Sequence, residues 1–552
     1  MEKRKNKAEK IFYNGKIYTV NEENKWVETI AICDRKILGV GSNDEIMEMK
    51  DSETEVRDLA GAMVMPGFID SHAHPTWGGT ELLYKVNLFD CTCISDYEAE
   101  IRKFIEKNPE STFIQGVGWV NPHFEEMGPS KKILDSISMD IPMVFDSADH
   151  HSIWANSKAI ELAGVSNDTE APDGGGIERD GKTGEPLGTF RETAQDLIKK
   201  IIPSYTKEQY KAGILEYQRV MSSYGITMAH DAIVEPDSPA HEAYLELDKD
   251  QKLRFKMTAS FASSIDHPMK DVKNYDRLME KSRGDMFTAE HVKFFLDGVV
   301  EASTACLKEP YSNNPEFYGT PLWEDDALQK LLTEIDRHGF TPHFHVIGDK
   351  AIDQMLTALE YVHERNGEKE RRPIAAHVQI LDTNDLPRMK KMNVHISANP
   401  YWFVKEPGYY YKLEEPYLGK ERASKEYPMN CLIEAGLVVA SASDFSVTPV
   451  PKPLRGIQMG ITRCFPEMNI HDPKCVLGEE EKVSLREMIR SFTVNGAKLV
   501  NQENRTGTLE IGKAADLVIL EKNLFDIEVH QIAFVKVLET IAEGKTIYVA
   551  EA

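Results

Sequence analysis

The sequence predicts an α/β protein with an eight-stranded parallel barrel at its centre, a small β-domain built from both ends of the chain, and a subdomain inserted after the first barrel strand. Three observations predict it. Short β-rich runs separated by turn signals open the chain and return at its end. Between them, apolar runs alternate with helical patterns, as parallel strands joined by crossover helices do. The length of 552 residues accommodates one large barrel of roughly 250 residues or more with additions.

The N-terminal runs are Ile11–Val20, split by a hairpin signal at Asn14-Gly15, then Thr29–Cys33 and Lys36–Val40 around Asp34-Arg35. The C-terminal runs are the turn-rich Gly507–Gly512, then Ala515–Leu520 and Thr546–Val549. In the middle, the strand candidates are Val64–Ile69, Thr112–Val117, Ile141–Phe145, Ile226–Ala229, Arg254–Phe261, His291–Leu296, Phe340–His345, Ile374–Gln379, Asn393–Ala398 and Leu437–Ala442. An eight-stranded barrel leaves two over, so Thr112–Val117 and Ile141–Phe145 fall to the insert. Asp349 is a candidate cap for a helix with Ile352, Met355, Leu356, Leu359 and Val362 on one face. Leu328, Leu331, Leu332 and Ile335 form a second stripe, stopped at Gly339. The expected boundaries are 1–64 with 490–552 for the β-domain, 65–75 with 216–489 for the barrel, and 76–215 for an α+β insert.

Charge narrows the function. Lys+Arg number 65 and Asp+Glu 90, a formal net charge of −25. Such a field repels phosphate, so neither nucleic acid nor an anionic membrane is the expected partner. No apolar run approaches the ~18 residues of a membrane span. The charged Met1–Lys5 leads into no apolar signal region. Seven cysteines, with only Cys91 and Cys93 closely spaced, read as free thiols of a reducing cytoplasm.

Met65–Pro75 carries the strongest local chemistry. Alternation along a strand sends His72 and His74 to one face where the apolar run ends. Two such imidazoles make half of a divalent metal site; the plain alternative is a pair of hydrogen-bonded histidines at a loop start. Further candidates close later strands: Lys293, His345, His377 and Asp444. In a parallel barrel the carboxyl ends of all strands open on one face, where active sites gather.

The order of Pro66–Pro75 (PGFIDSHAHP), His345–Ala351 (HVIGDKA), Ser441–Pro449 (SASDFSVTP) and Gly507–Leu520 (GTLEIGKAADLVIL) resembles the amidohydrolase superfamily, and most closely its YtcJ-like branch, which includes N-substituted formamide deformylases. The resemblance covers nearly the whole chain and implies a distorted (β/α)8 TIM barrel with a β-sandwich from both termini. It makes His72 and His74 first-strand metal ligands, His345 and His377 the fifth- and sixth-strand ligands, and Asp444 the eighth-strand carboxylate. Lys293 matches a fourth-strand lysine that can be carbamylated to bridge two metals; an ion-pair lysine is the alternative. One or two Zn2+ ions are the expected cofactor, with another divalent metal as the alternative.

The expected reaction is hydrolysis of a non-peptide linear C–N bond, in an N-acyl or N-formyl amine, by metal-activated hydroxide. Asp444 takes the proton and returns it to the leaving amine. A histidine of Asp149-His150-His151-Ser152, resembling a "DGHxxWxNS" element, meets the oxyanion; alignment favours His151 and leaves His150 open. Glu192, in a segment resembling "GEPTGxLRE", and Trp119, Tyr401 and Trp402 are candidate substrate contacts. The aromatics Tyr401–Phe403, Tyr409–Tyr411 and Tyr417 read as a pocket wall or as an oligomer contact, and a homodimer stays open. Ala376 stands where many relatives carry glutamate, and Asn399 where glutamine is common. A cyclic amide hydrolase or a ring deaminase is the alternative. The deaminase is disfavoured because no glutamate follows His345 in Val346–Lys350. A non-catalytic scaffold would lack ligands, and here every ligand position is filled.

Overall fold

The computed structural model describes residues 7–23, 25–124, 128–148 and 151–551; His150 lies outside them. The chain divides into two compact units, Met1–Thr76 with Tyr217–Ala552, and Trp77–Glu216.

The first unit holds the barrel. Its strands are β1 (Phe68–Ala73), β2 (Ile226–Val234), β3 (Lys256–Ala262), β4 (Phe287–Phe295), β5 (Thr341–Val346), β6 (Ile374–His377), β7 (His395–Ala398) and β8 (Val438–Ser441). They pair in that order, each parallel to the next. The two ends of the sheet meet: Ser71 Oγ donates to the Ser441 carbonyl at 2.9 Å, and the Asp444 amide to the His72 carbonyl at 2.8 Å. The fold is therefore the distorted TIM-like barrel that the strand–helix alternation predicts. Helices Asp325–Arg337 and Asp349–Asn366 bury the stripes Leu328/Leu331/Leu332/Ile335 and Ile352/Met355/Leu356/Leu359/Val362. Gly339 does sit just past the first of these helices, in the left-handed region at φ 82°.

The candidate cap at Asp349 needs correction. Gly348 is the N-cap residue, and Asp349 begins the helix. The Asp349 carboxylate instead accepts the Lys308 amide at 2.8 Å, which ties down the loop after β4.

Two further sheets in this unit draw on the termini. One has four strands, all from residues 10–58; the other has six and joins Lys16–Tyr18, Trp26–Val27 and Met63–Pro66 to Leu517–Leu520, Val537–Ala542 and Lys545–Val549. The expected hairpin at Asn14-Gly15 does not form. Lys10–Tyr13 lies in the four-stranded sheet and Lys16–Tyr18 in the six-stranded one. Asn14, at φ 57°, turns the chain from one sheet to the other. The reason is packing: Ile11 and Ile17 are each fully buried, in different core clusters, which a two-stranded ribbon could not offer them. At Asp34-Arg35, both residues have positive φ and Cys33 pairs with Lys36, so that hairpin does form.

The run read as one strand from Val64 to Ile69 is two. Met63–Pro66 pairs with Leu517–Leu520 in the six-stranded sheet, and β1 begins at Phe68. Gly67 makes the transition, and a Cβ there would lie 2.2 Å from Thr227 Oγ1.

The second unit is built on a six-stranded sheet from Lys85–Asn87, Ile114–Trp119, Met143–Ser147, Ser152–Ala155, Pro186–Glu192 and Gly175–Arg179. Its helices include Ile94–Lys107, which buries Tyr97 and Ile101 against Trp119 and Trp154.

Candidate metal centre

β1 carries His72, and the chain leaves the strand at His74. β4 carries Lys293, β5 His345, β6 ends on His377, and Asp444 follows β8. Parallel pairing brings these ends to one rim. The ligand atoms of His72, His74 and Asp444 lie within 4.8 Å of one another, and all three residues are buried. Asp444 Oδ1 is 2.9 Å from His74 Nε2 and 3.4 Å from His72 Nε2. Lys293 Nζ stands 3.4 Å from His72 Nε2. The His377 ring is centred 5.0 Å from His72 and 4.6 Å from His345.

Two of these residues sit in strained backbone. His377 has φ 75° and Asp444 φ 55°, a region costing non-glycine residues on the order of 1 kcal/mol or more. Both occur where a strand ends and a side chain must turn toward the rim.

Hydrogen bonds fix which nitrogen each imidazole presents. Asn399 Oδ1 lies 2.9 Å from His377 Nδ1, so Nδ1–H is spent there and Nε2 remains. Asn399, the departure noted in sequence, is thus the partner of a ligand candidate. His345 Nε2 donates to the Gly298 carbonyl at 3.1 Å, which leaves Nδ1. His72 Nδ1 contacts His343 Nε2 at 3.0 Å.

Electrostatics follow burial. Desolvation, with the charge of Lys293 next, lowers His72 well below the usual histidine range. Burial brings His377 down to about 4 and, with His377 and Lys293 as the next causes, holds His345 low as well. Neutral imidazoles are the ligand form. Burial, opposed by the Asp444 charge, brings the Lys293 ammonium down to about 7. For Asp444 burial opposes ionisation. The His74 hydrogen bond and the neighbouring His74, His377 and Lys293 charges outweigh it and hold the carboxyl far below its ordinary value.

This donor set fits a divalent cation. Buried Asp444 Oδ1 lies 2.9 Å from His74 Nε2 and 3.4 Å from His72 Nε2. One ligand atom from each of the three buried residues lies within 4.8 Å of the others, and imidazole nitrogen with carboxylate oxygen is a donor set that a divalent cation takes.

The remaining sequence candidates are placed as follows. Trp402 stacks on His377, with ring centres 5.5 Å apart and 17° between planes, and donates from Nε1 to Thr448 Oγ1. It also borders a cavity of about 550 Å³ whose wall includes Val447–Val450, the turn just after Asp444. Tyr401 is buried and packs edge-on to Phe492. Tyr411 donates to the Lys474 carbonyl at 2.8 Å. In the second unit, Trp119 is fully buried and donates from Nε1 to the Phe145 carbonyl, so its indole N–H is already used. His151 and Glu192 pair with each other at 3.1 Å, and Arg191 pairs with Glu178 at 2.6 Å.

Sequence reasoning overlooked His343, Asp297 and Asp70. His343 and Asp70 were within reach of it, since each stands two residues before a ligand candidate on the same strand and so shares its face. Asp70 accepts the Ser443 amide at 2.9 Å, bracing the segment that carries Asp444. Asp297 receives three backbone amides, from Ile347, Gly348 and Cys306; no motif marks such a role.

Comparisons with known proteins give the family. Residues 55–548 match the amidohydrolase family. The chain is 29% identical to YtcJ of Bacillus subtilis, named as an amidohydrolase, over 98% of this chain and 99% of that one. It is 24% identical to an N-substituted formamide deformylase of Arthrobacter pascens over 97% of each. Among solved structures, an uncharacterized metal-dependent hydrolase from Pyrococcus furiosus superposes with a TM-score of 0.75 at 25% identity, covering 93% of this chain and 99% of that one.

Proposed function

We propose that this chain, which belongs to the amidohydrolase family and is a metal-dependent hydrolase, cleaves a linear non-peptide C–N bond in an N-acyl or N-formyl amine. The observation that carries the reading is the convergence of His72, His74 and Asp444, with His345, His377 and Lys293 at the same rim. The deformylase relative, whose own name specifies an N-substituted formamide, supports the linear bond.

His72 and His74 would hold one cation through Nε2, with His345 Nδ1 and His377 Nε2 completing the imidazole set. Zinc suits these donors best. A bound Zn2+ polarises a carbonyl and lowers the pKa of water to about 7. Lys293 Nζ lies 3.4 Å from His72 Nε2; as the carbamate formed from its neutral amine and CO2, with loss of one proton, it would add an anionic oxygen donor.

The chain's own residues then move the proton. Asp444 Oδ1 takes it from the attacking water and delivers it to the departing amine nitrogen, which leaves as a neutral amine. The Ser443 amide, held by Asp70 at 2.9 Å, braces the segment that carries this carboxylate. Trp402, stacked on His377, forms an apolar wall that keeps bulk water from one side of the centre.

The test is metal analysis of purified protein together with a panel of N-formyl amines, N-acyl amines and cyclic imides. The expected result is stoichiometric zinc and turnover of the linear substrates. Metal-free protein after growth in zinc would overturn the hydrolase reading; turnover of imides alone would overturn the linear bond. His72→Ala should lose at least one metal and several orders of magnitude in activity.

A further inference from the structure

Parallel barrels are usually filled by branched apolar side chains. Directly beneath the metal-facing rim this one is filled by hydrogen-bonding groups. His343 stands two residues before His345 on β5, His230 lies on β2, and Thr258 and Ser260 lie on β3; all are at most 2% exposed.

These groups form one continuous chain. His72 Nδ1 lies 3.0 Å from His343 Nε2. His343 Nδ1 lies 2.9 Å from Ser260 Oγ. Ser260 Oγ lies 2.8 Å from His230 Nε2, and His230 Nδ1 lies 2.8 Å from Thr258 Oγ1. Each link holds one proton, and a neutral imidazole has one donor and one acceptor nitrogen. Within each imidazole the direction of one link therefore fixes the direction of the other, while the Ser260 hydroxyl, with one proton and two lone pairs, can also accept from both of its histidines.

Two directions run unbroken along the whole chain. In the first, His72 Nδ1–H donates to His343, His343 Nδ1–H to Ser260, the Ser260 hydroxyl to His230, and His230 Nδ1–H to Thr258. Every donor then meets an acceptor, and His72 Nε2 presents a lone pair toward Asp444, 3.4 Å away. In the second, every proton is shifted one place. His72 then carries its proton on Nε2, pointing into the donor set, and cannot bind a cation.

We infer that His343, held by Ser260 and His230, is a positioning residue that sets the tautomer of His72 and so keeps its Nε2 lone pair available to the metal. This rests on the metal-centre reading above. Partners that orient a ligating histidine typically carry 10–100-fold of metal affinity.

His291 supplies an internal control. It is buried in the same interior, its ring centred 5.1 Å from His230, but among the described residues neither of its nitrogens has a hydrogen-bond partner. It lies beside the chain without being a link in it.

The experiment is zinc affinity of metal-stripped protein, measured by competition with a chromophoric chelator, for the parent, His343→Gln, His343→Leu, Ser260→Ala and His291→Leu. His343→Leu should bind roughly 10–100-fold more weakly. His343→Gln, whose amide oxygen can accept from His72 and whose NH2 can donate to Ser260, should stay within about threefold of the parent. His291→Leu should match the parent. The Co2+ absorption band should shift in His343→Leu and not in His343→Gln. Parent-like affinity in His343→Leu, or equal weakening in the Gln and Leu variants, would overturn the inference. Should His343→Leu fail to fold, Ser260→Ala decides: weaker binding than His291→Leu supports the relay, and equal binding refutes it. A parent protein that binds no metal would instead defeat the underlying reading.

Discussion

Asp297→Asn is the substitution whose cost follows most directly from the structure. Asp297 is 1% exposed and lies just past β4. Oδ1 accepts the Ile347 amide at 3.0 Å; Oδ2 accepts those of Gly348 at 2.8 Å and Cys306 at 3.0 Å. One carboxylate thus joins the end of β4 to the end of β5, two and three residues beyond His345. An asparagine can offer its oxygen to the Gly348 and Cys306 pair. Its NH2 then faces the Ile347 N–H, donor to donor. Leaving one buried amide unpaired costs about 1–3 kcal/mol. The other two bonds lose their charge assistance, about 1 kcal/mol each. The total is about 3–5 kcal/mol. With a slope near 3 kcal/mol per molar, the urea midpoint falls by roughly 1 M or more. The loss should extend to metal retention, because the Gly298 carbonyl that receives His345 Nε2 is the next residue. Urea unfolding and the rate of zinc transfer to a chelator test both effects. A midpoint within about 0.2 M of the parent, with unchanged zinc release, would refute the reasoning.

Two further outcomes are expected. His241 is held by Ser282 Oγ at 2.9 Å and the Asp237 amide at 3.1 Å, and burial lowers it to about 4. Its folded value lies below the unfolded one of about 6.5, so its contribution is present above pH 6.5 and is lost as pH falls toward 4, by up to about 3 kcal/mol. Stability against urea should therefore fall over that window, and His241→Gln should flatten the slope; an unchanged slope would count against a buried neutral histidine. Gly67→Ala should cost about 1–3 kcal/mol, because the added Cβ would lie 2.2–2.7 Å from the Thr227 side chain. Thr227→Ala in the same protein should recover part of that loss, and additivity of the two substitutions would refute the clash.

The barrel was legible because its strands are continuous apolar runs separated by helical stripes, and the ligand candidates because each closes such a run. What lay beyond sequence was contact between distant segments. Nothing around Asn14-Gly15 tells that Ile11 and Ile17 belong to different cores, since the partners that bury them come from Thr29–Cys33 and Met63–Pro66. Gly67 divides one apolar run between two sheets for a reason located at Thr227. Trp119 offers an indole donor in sequence that the Phe145 carbonyl consumes in the fold. Asn399 could be identified as a departure from relatives, but only its 2.9 Å approach to His377 makes it a ligand's partner.

The polar interior beneath the rim carries a cost that clarifies its use. Apolar side chains at His230, Thr258, Ser260 and His343 would contribute burial without desolvation, about 25 cal/mol per Å². Each buried polar group instead gives up water and regains about 1 kcal/mol through its hydrogen bond. Stability alone would favour an apolar column, most plainly at His291, whose nitrogens have no hydrogen-bond partner among the described residues. A chain of neutral donors and acceptors offers what an apolar core cannot, a preferred proton position at its end. That end is His72 Nδ1, one imidazole away from the metal-facing donors. The two layers are therefore coupled: the lower one is tolerable because its bonds are satisfied in series, and the upper one gains an oriented ligand from the direction in which that series runs.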